Sequence, residues 1–189
     1  FDADVVQKRM PSTELDVEVA LRQATMQPRQ FPIKLEDIQA VCRYSQDRIL
    51  IRDLRMRHGA SQLALKDGTV QLRQGGGYRC RFEGVRAEPL VLEDSMLAAM
   101  PAGTRRALQA LELKDQVRLM GNITVESGND ARGAWPQVDW DGTLKLKGAR
   151  LVAGVEAKDL VGEVVCSGKF NGTTVDHAQG NMALEQGAV

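Results

Sequence analysis

Few residues in this chain have the type and spacing to do chemistry. Of its two histidines, His58 lies in RHGAS and His177 in VDHAQ. Neither has a metal ligand two to four positions on, so each reads as a surface or turn histidine. The three cysteines, Cys42, Cys80 and Cys166, are widely spaced and form no CxxC. That count argues against a disulfide framework or zinc site and favours buried thiols acting as small hydrophobes. A Cys–His nucleophile pair could assemble from distant residues, but no local motif asks for one. GxSxG, HExxH and the P-loop are missing. Gly75-Gly76-Gly77 has no Lys-Ser/Thr and no following helix, so it reads as a hairpin loop. Carboxylate pairs such as Glu93-Asp94 and Asp139/Asp141 fit caps and turns. The expectation is a protein that is not an enzyme and holds no metal or cofactor. Arginine spacing is the exception: Arg55 and Arg57, and again Arg79 and Arg81, alternate along strands. Such pairs could grip phosphate headgroups bidentately, or serve as surface charges that discourage strand aggregation.

The totals narrow the field. The 25 basic and 25 acidic side chains cancel, and aromatics make up 4% of the 189 residues. Binding by counterion release or by base stacking calls for the opposite, so no nucleic-acid partner is expected. Charged residues at 26% and apolar residues at 43% give an ordinary globular balance. No run of 18 apolar residues exists to span a membrane as a helix, and no secretory signal is present. Beginning at Phe1 and stopping at Val189 within strand-like sequence, the chain reads as a single β-rich module, 1–189, cut from a longer protein.

The elements are mostly strands. ELDVEVALRQ (14–23) alternates apolar and polar residues with period two, the pattern of a half-buried strand. Further candidates are 48–57, 78–83, 116–127, 142–152, 160–168 and 180–186. Turn signals recur every eight to twelve residues (SQD, RHG, KDG, QGGG, SGND, WDG, FNG), the rhythm of short antiparallel strands. One segment, 93–114, has helical spacing. Asp94 or Ser95 could cap its start, Pro101 and Gly103 should divide it, and Thr104 could cap a second piece bearing Leu108 and Leu111. The expectation is one short broken helix near residues 95–111. A weak internal repeat also lays 36–70 against 158–189.

QLALKDGTVQLR (62–73) has the strictest pattern. With Asp67-Gly68 as a two-residue turn, Leu65 faces Val70 and Leu63 faces Leu72, giving one four-residue apolar surface. Such a hairpin cannot stand alone. At the second DGT a three-residue loop, Asp141–Thr143, keeps Trp140, Leu144 and Leu146 on one face. About seven amphipathic strands thus need cover, and one short helix is on offer. The fold class is mainly β: a curled antiparallel sheet that either closes as a sandwich or stays open as a groove. Physical argument by itself favours the sandwich, because closed cores are commoner.

WDGTLKLKGARLVAGVEAKDLVGEVVCSGKFNG (140–172) resembles repeats of the bacterial AsmA-like family, relatives of TamB. QAVCRYSQDRILIRDLRMRHGASQLALKDGTVQL (39–72) is similar to the same unit. LVLEDSMLAAMPAGTRRALQALELKDQVRLMGNITV (90–125) resembles the helical interruption of some members. The likeness rests on patterning and turn glycines. It implies a long curled sheet in the periplasm or envelope of a diderm bacterium, its parent protein membrane-anchored, supporting phospholipid transport or outer-membrane assembly. Partners would be lipid acyl chains or other envelope proteins. The residues it points to are the apolar-face positions Leu63, Leu65, Val70, Leu72, Tyr78, Phe82, Leu144 and Leu146; Arg55, Arg57, Arg79 and Arg81 stay headgroup candidates on their spacing alone. The alternative is a closed β-sandwich acting as a structural or protein-interaction module without ligand.

Overall fold

Period-two alternation commits a backbone to ladders, because each N–H and C=O on a strand needs a partner. A computed structural model describes residues 16–28, 32–74, 76–100, 117–127, 136–152 and 156–188, with Ala102, Arg105 and Gln109. Nine strands form there: β1 (Asp16–Met26), β2 (Leu35–Ser45), β3 (Arg48–His58), β4 (Ser61–Leu72), β5 (Tyr78–Leu90), β6 (Val117–Ser127), β7 (Gln137–Val152), β8 (Glu156–Phe170) and β9 (Val175–Ala188). A five-residue helix, α1 (Asp94–Ala98), lies between β5 and β6. The strands pair antiparallel in chain order, β1 to β9, in one sheet that does not close. Strand packing among the described residues runs chiefly between sequence neighbours, so no second sheet lies over the first. The mainly β class and the short helix are as expected. The sandwich favoured on physical grounds does not form. A meander without crossovers leaves no strands to build the second layer.

Two expected turns are interior strand instead. Asp67-Gly68 lies inside β4, and Asp141–Thr143 inside β7. β4 pairs along its length with β3 on one side and β5 on the other, so a continuous strand satisfies more backbone groups than two four-residue arms could. The hairpins close elsewhere, at Gln46-Asp47, at Gly59-Ala60 and over 73–77 and 171–174. The second part of the broken helix, with Thr104, Leu108 and Leu111, lies outside the described residues.

What KDG does is reverse the parity of the strand. Leu63 and Leu65 point inward, Lys66 and Asp67 are both exposed, and Gly68 and Val70 point inward again. The same step recurs at Arg22-Gln23, Glu36-Asp37, Arg52-Asp53, Glu83-Gly84, Lys147-Gly148 and Lys158-Asp159. In each of these pairs the second residue has positive φ. Left-handed backbone inside a strand is the geometry of a bulge, and Asp and Gly tolerate it better than other residues. Two polar residues then face water in succession, and apolar residues on both sides stay on one surface.

Apolar burial is concentrated at two places on the inner surface. Ile33, Leu35, Ile38 and Ala99 form one cluster, with Leu21, Leu54, Met56 and Leu63 packed around it. Here α1 and the residues after it cover one end of β1–β4. Leu146, Ala149 and Leu160 form the other, between β7 and β8.

Candidate functional site

Register decides which side chains share a surface. Leu63 and Leu65 on β4 stand opposite Met56 and Leu54 on β3. Farther along, Val70 is flanked by Ile49 and Cys80, Leu72 pairs with Tyr78, and Gly68 with Phe82. Phe82 continues to Ile123, Ile123 to Trp140, Leu119 to Leu144, and Leu144 to Val164. All eight apolar positions expected from the sequence therefore lie on one inner surface, knitted together by β6. The reason differs from the expected one at β4: the four aliphatics share a face along one strand through a parity step, not across a hairpin. Sequence reasoning placed Trp140 on this wall and missed Ile49, Ile51 and Ile123 as members of it. Their period-two spacing was the available signal.

Space over the wall is set by small residues. Trp140 lies across Gly168 on the neighbouring strand, where any side chain would collide with the indole ring. The wall is most open where α1 does not reach and toward the edge strands. Leu72 is 39% exposed, Met182 42% and Leu184 49%. Exposed apolar side chains aligned on one face offer a surface for apolar ligands.

The opposite surface is polar and cross-linked by charge. Asp139 faces Lys169, Lys145 faces Glu163 and Arg79 faces Glu126 in register, each forming an ion pair. Arg43 pairs with Asp16 across β1–β2, and that guanidinium, chiefly through its hydrogen bond, holds the Asp16 carboxyl below its usual range. The four arginines named from the sequence belong to this outer surface. Arg57 binds Asp37 at 3.0 Å and Arg79 binds Glu126 at 3.0 Å. Arg55 and Arg81 are exposed beside them. None of the four shares a face with the apolar wall.

All three cysteines are free, and each sits at an inner-surface position. Cys80 is buried, Cys42 and Cys166 half-buried, and burial pushes all three thiols above their ordinary value. The unfolded chain releases thiol protons at lower pH than the folded one, so their contribution to stability falls as pH rises above the ordinary thiol value. Alkylation by iodoacetamide at mildly alkaline pH should be slower at each cysteine in the native chain than in urea, with Cys80 slowest. Peptide mass spectrometry over time checks this.

His58 is buried at 5% exposure, a correction to the surface reading. Its Nδ1 lies 2.9 Å from the Lys34 carbonyl and its Nε2 3.0 Å from Ser95 Oγ. A carbonyl only accepts, so Nδ1 carries a proton, and in the neutral ring Nε2 then accepts from the serine hydroxyl. Ser95 is thus bound to the histidine rather than capping α1. Glu93 stands at the N-cap, and its side chain caps nothing in the helix: it accepts the Ala60 N–H at 2.8 Å. Ser61 Oγ accepts from the Val91 N–H and donates to the Val91 carbonyl. Together these bonds tie α1 to the β3–β4 turn. Replacing His58 with Ala leaves the Lys34 carbonyl without its partner and should destabilise the chain by about 1–3 kcal/mol. Urea titration gives the loss, and faster proteolysis near residue 95 would locate it at α1.

Among the described residues, no group of three or more His, Cys, Asp or Glu is placed to hold a metal ion, and no helix is long and apolar enough to cross a membrane. Fold and site define a class: an open, single-layer antiparallel sheet with one apolar and one ion-paired surface. Compared with protein-family models, with curated proteins and with solved structures, the chain matches none of them.

Proposed function

We propose that this chain is a non-enzymatic segment of an AsmA-like envelope protein, whose apolar sheet surface supports phospholipid movement between membranes of a diderm bacterium. One observation carries the reading. Apolar side chains from successive strands of one nine-stranded sheet share a surface through the parity steps, and among the described residues no second sheet covers it. A chain that needed only a core would bury such a surface; this one leaves Leu72, Met182 and Leu184 exposed on it. The mechanism is passive. An acyl chain lying on the wall leaves water at each step, so its passage meets no large hydrophobic barrier. Headgroups would stay in water along the open side, since the outer-surface arginines face away from the wall. Periplasmic placement and an anchored parent protein follow from the family resemblance.

Mass spectrometry of organic extracts from the purified chain tests the reading. Co-purifying phospholipid or fatty acid, in amounts comparable to the protein, is the expected result. A lipid-free protein that also fails to bind a fluorescent fatty acid would overturn it.

A further inference from the structure

The turn joining β8 to β9 holds the only Asn-Gly step in the chain, Asn171-Gly172. Asn-Gly readily loses its side-chain amide, because glycine has no Cβ to shield its nitrogen from the carboxamide before it. Here that carboxamide is pinned at both ends. Its Oδ1 accepts the Thr173 N–H at 2.9 Å, the Thr174 N–H at 2.9 Å and the Thr173 hydroxyl at 2.8 Å. Its Nδ2 donates to Asp176 Oδ1 at 2.6 Å and to Thr174 Oγ1 at 3.1 Å. The Asn171 N–H closes the turn on the Thr174 carbonyl at 3.0 Å. Both amide hydrogens and the amide oxygen are thus engaged, which keeps Cγ from swinging onto the next nitrogen. Gly172 itself is buried, away from the water that must take its proton, and its φ of 97° suits glycine alone.

We propose that Asn171 is a covalent modification site, protected while the β8–β9 turn is closed and reactive once it opens, so that the turn acts as a one-way latch. In the opened turn the Gly172 nitrogen gives up its proton and bonds to Asn171 Cγ. The Cγ–Nδ2 bond breaks, and Nδ2 leaves with a proton as ammonia, closing a succinimide ring. Water opens that ring at either carbonyl, giving aspartate or isoaspartate, with no change of oxidation state. Neither product rebuilds the cage. A carboxylate at position 171 has no hydrogen to give Asp176, and it sets a second negative charge within hydrogen-bond distance of the first. Isoaspartate also routes the main chain through the side chain, adding a methylene to the backbone of a tight turn. An opening that would otherwise reverse is made permanent. The inference rests on the hydrogen bonds of the turn and not on the lipid reading.

Peptide mass spectrometry on the full chain tests it, in mildly alkaline buffer with and without urea. The Asn171 peptide should take on the mass of an amide turned acid at least about tenfold more slowly in the folded chain, since only the opened fraction reacts. Asn171→Asp, which writes one product into the chain, should speed iodoacetamide labelling of Cys166, the residue opposite Gly180 of β9. Labelling of Cys42 and Cys80 should not change. Adding Asp176→Asn again sets a donor against an acceptor and should return Cys166 labelling toward the rate of the unaltered chain. Mere loss of a turn residue would not give that rescue. Equal modification rates in the folded and unfolded chain overturn the proposal. So does an Asn171→Asp chain whose Cys166 labels no faster, or whose faster labelling Asp176→Asn does not reverse.

Discussion

Deleting Asp67 alone is expected to unfold the chain or bring it to the edge of unfolding. The Lys66-Asp67 pair places two residues in succession on the outer surface, which lets Leu63 and Leu65 share the inner surface with Val70 and Leu72. With one of the pair removed, strict alternation resumes and one half of β4 must invert. Either Val70 and Leu72 turn outward while Thr69 and Gln71 turn in, or Leu63 and Leu65 turn outward. A one-residue slip of this kind reverses every side chain beyond it. Losing burial of two aliphatics costs about 3 kcal/mol or more, against a total stability of about 5–15 kcal/mol for a domain. β4 is also interior, so mispairing reaches both β3 and β5. Deleting Gln74 from the loop after β4 should cost less than about 1 kcal/mol, since a loop absorbs a change in length. Urea midpoints for the two deletions decide the matter: equal midpoints contradict the parity step.

Placing a carboxylate at Phe82 should weaken binding of a fatty-acid probe at least about tenfold while the sheet persists. Phe82 lies midway along the wall, between Gly68 and Ile123, and is half-buried rather than sealed in a core. An acyl chain laid over Phe82→Asp would strip water from a charge that has no partner on that surface. A penalty of about 1.4 kcal/mol, within the range for an uncompensated polar group, is already tenfold. Phe82→Leu keeps an apolar contact and should bind nearly as well. Arg81→Glu, one residue away on the outer surface, should change nothing. If Arg81→Glu matched Phe82→Asp in its effect, binding would not follow the face.

These two variants mark what the sequence disclosed and what it hid. Period two grouped Leu63 with Leu65, Val70 with Leu72, Tyr78 with Phe82 and Leu144 with Leu146, because alternation within one strand reports a face whatever the strand pairs with. It could not tell a turn from a parity step. Apolar alternation into Lys-Asp-Gly and out again is the pattern of a tight hairpin and of a strand with a parity step alike. The difference lies in whether the neighbours, β3 and β5, are long enough to pair the whole segment. Nor could composition choose between a sandwich and an open groove, since both set the same apolar residues on one face. His58 was hidden for a related reason. Its burial depends on Ser95 and Lys34, which reach it only once α1 lies across the end of β3. The arginines of 55, 57, 79 and 81 were correctly assigned to the polar face of their strands. The sheet then sets that face away from the apolar wall and pairs Arg57 and Arg79 with acids.

The central claim is that one surface of this sheet touches acyl chains and the other does not. Site-specific photo-crosslinking measures that contact most directly. A benzophenone side chain would be placed in turn at Leu72, Phe82 and Leu144 on the inner surface, and at Arg55, Arg81 and Lys145 on the outer. Each chain would be irradiated with phospholipid vesicles, and covalent lipid adducts counted by mass spectrometry. Adducts at the three inner positions and none at the three outer ones is the predicted result. Equal labelling of both surfaces, or none at either, would contradict it.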